Sequence, residues 1–375
     1  MDRIKLSIAN LRKEKGITQT ELADSLGVSF QSISKWETGI TLPDITLLPT
    51  LADYFEVSVD QILGLKPLNN REYILRRTDS KEHWDHRLDY LKNSRPYIWN
   101  NDYMEFLIDK VWQISKPINI VDFGCGYGYL GLLLLPKLPK GSTYTGVDVS
   151  DKLIEEARTL FKDSCYKTEF IQSDLNLFKT TEKYDMAICQ CRLRHLPDPK
   201  ETLKNMVDAV FAGGMVVTIS INRELENAGL YIDGLDYSSF DYKTSALKKL
   251  WKTELHSEGR DYSVGMKIPI YMQELGLKNI DVRMNDKINY INPDEDSVYY
   301  SEQISSLLKT NSWDKPIPND EQERIIDLFM NRGLTRAEAE SYVKTEMAIS
   351  NYLLANKENV SILMAQCLLI TYGIK

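Results

Sequence analysis

Apolar positions recur at helical spacing through the first sixty residues and then give way to short continuous apolar runs punctuated by glycine, acid and proline. Ile4, Ile8 and Leu11 share one helical face, and Gly16 ends that helix. Thr18 is placed to cap the next helix, with Glu21 three residues on completing a capping box. That helix runs through Leu22, Ala23 and Leu26 to Gly27, and Ser29 caps a third, Phe30 to Thr38, closed by Gly39. Ile45 to Phe55 and Val59 to Leu63 supply two more, so residues 4 to 63 predict five short helices. Two of them meet across the tight turn Leu26-Gly27-Val28-Ser29, a helix-turn-helix layout.

Lys66 to Asn70 reads as a boundary, and the charged stretch Arg71 to Lys92 as a helix. Tyr97 to Tyr103 mixes aromatics with short polar groups. It suits either a lid over a neighbouring site or a helix capped by Asn100 or Asn101 whose aromatics are core. From Ile118 the period changes. A buried strand (Ile118 to Phe123) enters the glycine turn Gly124-Cys125-Gly126-Tyr127-Gly128, followed by an apolar helix. Glycine permits positive φ and close approach of the backbone to a ligand. Tyr144 to Ser150 is a second strand carrying Asp148 at its end, Lys152 to Phe161 a helix, and Phe170 to Asp174 a third strand ending in an acid. Tyr184 to Gln190 is the fourth strand, Leu196-Pro197-Asp198-Pro199 opens a helix, and Gly213-Gly214 precedes a fifth strand, Met215 to Ser220. This alternation predicts a doubly wound α/β sheet. Helix Ile268 to Leu275, a turn and strand over Gly276 to Arg283, and a last strand within Val360 to Ile374, the sheet's antiparallel member being Ala365 to Tyr372, would complete it. The intervening segments, about 223–262 and 292–359, then read as insertions, the second helical over Gln322 to Arg332 and Arg336 to Ala355.

Composition narrows the setting. Hydrophobic residues make up 43% and charged residues 27%, values of a soluble globular chain, and no apolar run reaches membrane-spanning length. The first residues carry no signal-peptide core, and the five cysteines are scattered, so a reducing cytoplasm is the expected location. His83 and His86 have no third ligand nearby, and Cys189-x-Cys191 has no second pair; no metal is expected. The net charge is −8, and residues 1–65 hold six basic against nine acidic side chains. That is a weak electrostatic grip on DNA for one copy, so a homodimer on paired half-sites is expected.

The segment GITQTELADSLGVSFQSISKWETGITLPDI resembles the lambda/434 repressor-like (XRE) helix-turn-helix family over nearly its whole length. The resemblance implies double-stranded DNA as a partner, with Phe30, Gln31, Ser32 and Lys35 facing base edges and Gln19 at a phosphate. It also implies an Arg12–Glu37 ion pair. A protein-interaction or dimerisation module is the alternative use of the same fold.

From Asp122 to Ser220, DFGCGYG, the strand ending GVD and HLPDP before a helix and a GG strand resemble class I S-adenosylmethionine (SAM)-dependent methyltransferases of the small-molecule type. The implied fold is Rossmann-like, with a seven-stranded, mostly parallel sheet and helical insertions. The implied cofactor is SAM, with S-adenosylhomocysteine as product. By the resemblance Gly124 and Gly126 meet the methionine part, Asp122 its ammonium, Asp148 the ribose, Asp174 the adenine amino group beside Leu175, and Gln190 lies under the sulfonium side. Cys125, Val149 and Ser173 complete the set. The expected organisation is a DNA-binding domain over 1–65, a linker and helical cap over 66–111, and a methyltransferase domain over 112–375.

Gln190-Cys191-Arg192-Leu193 lacks both the proline-rich stretch of DNA amino-methyltransferases and the Pro-Cys of cytosine-C5 enzymes. A small-molecule acceptor is therefore expected, with no membrane partner. His195 is the candidate general base. Arg192 and Arg194 are candidates to hold an acidic substrate, and Tyr231, Tyr237, Tyr242, Tyr299 and Tyr300 are candidate chamber walls. The acids Asp233, Asp236, Asp241, Glu295 and Asp296 are expected around the entrance. The same sequence also supports a regulator whose methyltransferase-like domain only senses SAM or another ligand.

Overall fold

The computed structural model describes residues 6–66, 68, 78–223, 225, 229–236, 239–294 and 297–375, the side chains of 239–244 and 297 excepted. Ile4, Tyr237, Glu295, Asp296, most of the 66–70 boundary and residues 71–77 lie outside the described residues, as do the side chains of Asp241 and Tyr242. The chain divides into two compact units. One comprises 1–74, 239–253 and 317–347; the other 75–238, 254–316 and 348–375.

In the first unit the five expected helices form as α1 (Ile8–Glu14), α2 (Gln19–Leu26), α3 (Phe30–Glu37), α4 (Leu48–Phe55) and α5 (Val59–Ile62). The capping box is present: Thr18 accepts from the Glu21 N–H, and the Glu21 carboxylate accepts from the Thr18 N–H at 2.7 Å. Gly27 ends α2 at φ 64°, where glycine alone has no steric cost, and Ser29 caps α3 through the Ser32 N–H. Ile8, Leu22, Ile33, Leu51 and Ile62 are fully buried together, so the five helices share one small core. A second core in this unit joins Ala246 and Leu250 to Ile326, Met330, Leu334 and Val343.

The second unit is built on a seven-stranded sheet. Its strands are β1 (Asn119–Phe123), β2 (Thr143–Asp148), β3 (Lys167–Gln172), β4 (Tyr184–Gln190), β5 (Val210–Ile221), β7 (Lys278–Met284) and β10 (Leu368–Ile374), in the order β3-β2-β1-β4-β5-β10-β7. β10 runs antiparallel to both neighbours and the pairs among β1 to β5 are parallel. The order reverses at β1, so β1 and β4 diverge around a crevice at their carboxyl ends, where open sheets bind ligands. Side chains alternate across the sheet: Ile120, Ile188 and Val217 join one core, Val121, Phe123 and Val216 the other.

Three features differ from the sequence reading. The stretch Arg71 to Lys92 is not one helix: within its described part, α6 (Lys81–Trp84) and α7 (Leu88–Ser94) are separated by a turn at 85–87. The cap segment is continuous with the sheet's core, because Ile98, Trp99, Met104, Leu107, Ile108 and Trp112 pack beside Ile120 and Leu130. Finally, residues 360–374 do not form one strand. β9 (Ile362–Ala365) pairs with β6 (Leu230–Ile232) and β8 (Ile288–Ile291) in a separate three-stranded sheet. The break at Gln366-Cys367 is fixed from both sides, since the Leu368 N–H donates to the Asn285 side chain at 2.8 Å and Cys367 O accepts from the Asn222 N–H.

Candidate functional site

The glycine turn after β1 is set by backbone geometry. Gly124, Gly126 and Gly128 all have positive φ. The N–H groups of Gly124 and Cys125 both donate to Val147 O, and that of Gly126 to Asp148 Oδ2 at 2.9 Å. These donors are therefore spent on joining the turn to β2. Close approach, rather than N–H donation, is what these glycines offer a ligand.

Two carboxylates sit beside this turn on neighbouring strands. Asp148 is buried and held by the Gly126 and Ser150 N–H groups, one on each oxygen. Each oxygen keeps a second lone pair, suited to a hydroxyl. Asp122 is 1% exposed. Its Oδ2 accepts from the Tyr144 hydroxyl at 2.5 Å, while Oδ1 is buried with no partner among the described residues. Burial, with Asp148 adding to it, raises Asp122 to about 7. An orphaned carboxylate oxygen in a cavity wall fits a cationic donor such as an ammonium, which would satisfy it.

A cavity of about 40 Å3 lies here, lined by Asp122, Gly124, Cys125, Gly126, Asp148 and Gln190 of the sequence-derived set. The other four are not in its lining. Ser173 bonds Asp148 O through its N–H, Val149 O accepts from Gln172, and Leu175 is buried in the second core. Asp174 is turned into its own loop, where Oδ1 accepts from the Asn176 backbone at 2.9 Å and side chain at 3.1 Å.

Apart from Leu130, Cys191 and Arg192, the remaining wall comes from residues the sequence reading missed. Trp84, Leu91 and Arg95 reach the cavity from the segment before the sheet, and Tyr127, Tyr129 and Leu153 from beside the turn. This cover is tied down by Lys81 bonding Asp85 and Asp151, and by the Ser150 hydroxyl donating to Asp85 at 2.6 Å. Trp99 is anchored inside by its indole N–H, which donates to Gln190 Oε1 at 3.0 Å. Asn100 occupies the cap position of α8 (Asn101–Phe106) without a side-chain cap bond, so the neighbouring aromatics Trp99 and Tyr103 serve packing and anchoring. Only the charge alternation of Lys81 to Arg87 hinted at a surface to be tied down; nothing local marks Leu91 or Arg95.

Of the two arginines after β4, Arg192 lines the cavity but turns its guanidinium to backbone carbonyls, and Arg194 is absent from the lining. Arg192 is 6% exposed. Its stem lies over Gly124, where a Cβ would come within 2.8 Å of Arg192 Cγ. Its guanidinium donates to Thr78 O at 3.2 Å and Asp79 O at 2.9 Å, and stacks on Trp84 at 5.1 Å. Arg194 donates its Nε–H to His195 Nε2 at 3.0 Å. His195 is thus an acceptor at Nε2 and pairs with Thr78 Oγ1 through Nδ1 at 3.2 Å. Burial first, then Arg194, Arg192, Arg260 and His83, depress it well below its ordinary value. It is absent from the cavity wall and both nitrogens are engaged, which corrects its assignment as general base. Tyr300 is also no chamber wall: its hydroxyl donates to Val360 O at 3.0 Å, just before β9, while Tyr231 and Tyr299 are exposed. The described residues contain no metal-ligand cluster.

The second candidate site is α3. Phe30, Gln31 and Lys35 are exposed on it, and Ser32 is half-buried with its hydroxyl 2.9 Å from that of Ser29. Arg12 pairs with Glu37 at 2.6 Å and 3.0 Å, as the resemblance implied. Gln19 joins that pair, donating to Glu37 Oε2 at 2.7 Å, so its amide is held rather than presented free to a phosphate.

Comparison with known proteins finds a match around each candidate site. Residues 8–62 match the helix-turn-helix family model and residues 114–262 a methyltransferase-domain model. The chain joins a repressor-type helix-turn-helix domain to a methyltransferase domain of the class I fold. Among curated relatives, the ubiquinone biosynthesis O-methyltransferase of Rickettsia felis is 30% identical over 124 residues, 32% of this chain and 49% of the relative. That of Coxiella burnetii is 29% identical over 123 residues, 32% and 51% respectively. The chain spans about half the length of the curated relatives it matches. Among solved structures, Haemonchus contortus phosphoethanolamine N-methyltransferase 2 in complex with S-adenosyl-L-methionine is 13% identical, covering 80% of this chain and 60% of that one at a TM-score of 0.43. The cyclopropane synthase MmaA2 of Mycobacterium tuberculosis is 12% identical, covering 81% and 100% at 0.43.

Proposed function

We propose that the chain is a SAM-dependent methyltransferase acting on a small molecule and carrying a DNA-binding domain that makes it a transcriptional regulator. The observation that carries the cofactor assignment is the pair of carboxylates at the ends of β1 and β2, one with a buried, unpartnered oxygen, beside a positive-φ glycine turn. Asp122 Oδ1 would take the ammonium, Asp148 the ribose hydroxyls, and Gly124 would let the methionine part lie against the backbone. Bound SAM supplies a sulfonium methyl group for in-line transfer. The chain's own contribution is positioning and exclusion of water, with Gln190 fixed by Trp99 and the cover closed by Trp84 and Leu91. Asp174, Leu175, Ser173 and Val149 remain proposed to the adenine side. No acceptor base is assigned, because His195 is engaged elsewhere.

Calorimetry with S-adenosylhomocysteine tests this reading: one site per chain is expected, weakened about tenfold or more by Asp148→Ala, the loss of buried hydrogen bonds to a charged group. Unchanged affinity in that variant removes Asp148 from the site.

One observation favours a second, regulatory use of the same ligand. At about 40 Å3 the cavity holds only a few waters, at roughly 10–15 Å3 each. Admission of a nucleoside displaces Arg192 from Gly124 and from the carbonyls of Thr78 and Asp79. Binding is thereby coupled to the cover segment. SAM-dependent change in operator affinity, without turnover, would select the sensing reading.

For the DNA-binding domain we propose a homodimer that reads paired half-sites about one helical turn apart, through Phe30, Gln31, Ser32 and Lys35. Gln19 then acts by holding Glu37. Sedimentation reporting only monomer, together with tight binding to a single half-site, contradicts this.

A further inference from the structure

A second cavity, of about 130 Å3, lies beside the first, and Arg95 lines both. We infer that this second chamber is the acceptor site and that the acceptor is a small anion, about one six-membered ring in size, carrying a hydroxyl or other hydrogen-bond donor. The inference rests on the methyl-transfer reading above and adds the substrate class to it.

Size comes first. An engineered apolar cavity of about 150 Å3 accommodates benzene, so a chamber of about 130 Å3 beside the cofactor cavity suits one ring with short substituents. Charge comes second. Arg95 lines the chamber, and no described lining residue is an acid. A guanidinium in a wall whose described residues include no carboxylate favours an oxyanion, which it can hold with two parallel N–H bonds. Polar matching comes third. Gln303 is 6% exposed, lines the chamber, and its side-chain oxygen is buried without a hydrogen-bond partner among the described residues. Native structures rarely leave such an atom unmatched, so it marks where a ligand donor belongs.

The wall that carries Arg95 is held rather than loose. The turn Arg95–Tyr97 is fastened by Asn289, whose amide donates to Tyr97 O at 3.0 Å. Ser306 donates to Asn93 O at 2.6 Å just before it. Ser306, Gln303 and Leu307 all come from the helix Ser297–Asn311, within the second insertion. That insertion is what distinguishes this chamber from a bare class I sheet, and it brings neutral amides and hydroxyls rather than acids to the chamber wall. Arg95 lines both cavities, so an anion that it holds lies at the side of the chamber shared with the cofactor cavity.

The test uses the full chain saturated with S-adenosylhomocysteine and titrates 3-hydroxybenzoate against its neutral counterpart 3-hydroxybenzamide. The wild-type protein should bind the acid at least tenfold tighter than the amide. Arg95→Gln should bring that ratio close to one. Gln303→Leu removes an unpartnered polar atom, so it should fold at least as well as wild type, keep its S-adenosylhomocysteine affinity and bind both probes about fivefold to tenfold more weakly. Equal affinity for acid and amide, or no binding of either probe while S-adenosylhomocysteine still binds, overturns the acceptor assignment alone. Failure to bind S-adenosylhomocysteine overturns the methyl-transfer reading itself.

Discussion

Asp122→Asn tests the site through its electrostatics. Burial and the nearby Asp148 raise Asp122 from the ordinary 3.8 to about 7, against the opposing bond from Tyr144. At about 1.4 kcal/mol per pH unit, the ionised form costs the ligand-free fold on the order of 4 kcal/mol. The unfolded chain loses this proton near 3.8 and the folded chain near 7. Stability contributed by this group therefore falls as pH rises between those values and is level above them. The asparagine variant, which can still accept from Tyr144, should lack that slope and be the more stable protein at pH 8. Ligand binding has the opposite sign. An ammonium at Oδ1 needs the carboxylate ionised, so S-adenosylhomocysteine affinity should climb with pH, up to about tenfold per unit below 7, and flatten above it. In Asp122→Asn the climb should disappear, and affinity at pH 8 should fall by roughly 1.5–3 kcal/mol, the worth of hydrogen bonds to a charged group. Calorimetry between pH 5.5 and 8.5, in buffers of different ionisation enthalpy, reads both the affinity and the proton released. A wild-type profile that is flat with no proton release, or the same slope in the variant, refutes the assignment of Asp122.

Three further outcomes follow from particular contacts. Glu37→Gln strands Arg12 in a mostly buried pair (14% and 7% exposed) and should cost the helix-turn-helix core about 2–4 kcal/mol, read by amide exchange in α1 to α3. Although burial raises Glu37, the bonds from Arg12 and Gln19 hold it below the usual carboxylate range, so this contribution is present at neutral pH and lost as pH falls through the lowered value. Trp99→Phe leaves Gln190 Oε1 without its donor and should cost about 1–3 kcal/mol in urea unfolding, with weaker S-adenosylhomocysteine binding; a neutral substitution counts against a fixed Gln190. Lys35→Ala should weaken operator binding across sequences and lower the salt-dependence slope by about one, whereas Gln31→Ala should relax sequence preference; a Lys35→Ala slope unchanged in a filter-binding series removes Lys35 from the interface.

The parts of the molecule legible in the sequence are those set by local geometry. Thr18 and Glu21 cap α2 because three-residue spacing places each side chain at the other's N–H. Gly124, Gly126 and Gly128 announced a turn with positive φ, and Asp122 and Asp148 stood at strand ends. Residues whose role depends on a distant partner were misread or missed. His195 looked available in sequence but is closed off by Arg194 and Thr78, the latter 117 positions away. Asp174 reads in the sequence as a strand end like Asp148, yet β3 stops at Gln172 and the Asp174 side chain closes a turn with Asn176, two residues on. Trp84, Leu91 and Arg95 reach the site from a segment whose local pattern reads only as a charged helix. The three-stranded sheet was hidden because its members, residues 230–232, 288–291 and 362–365, are short and widely separated.

The central claim is methyl transfer to a small molecule. The direct measurement is incubation of the full chain, and of its Asp148→Ala variant, with methyl-labelled SAM and either operator DNA or a metabolite extract. Label should pass from the wild-type reaction into the small-molecule fraction and be absent with the variant. Label in DNA, or no transfer by a protein that binds S-adenosylhomocysteine normally, would contradict it.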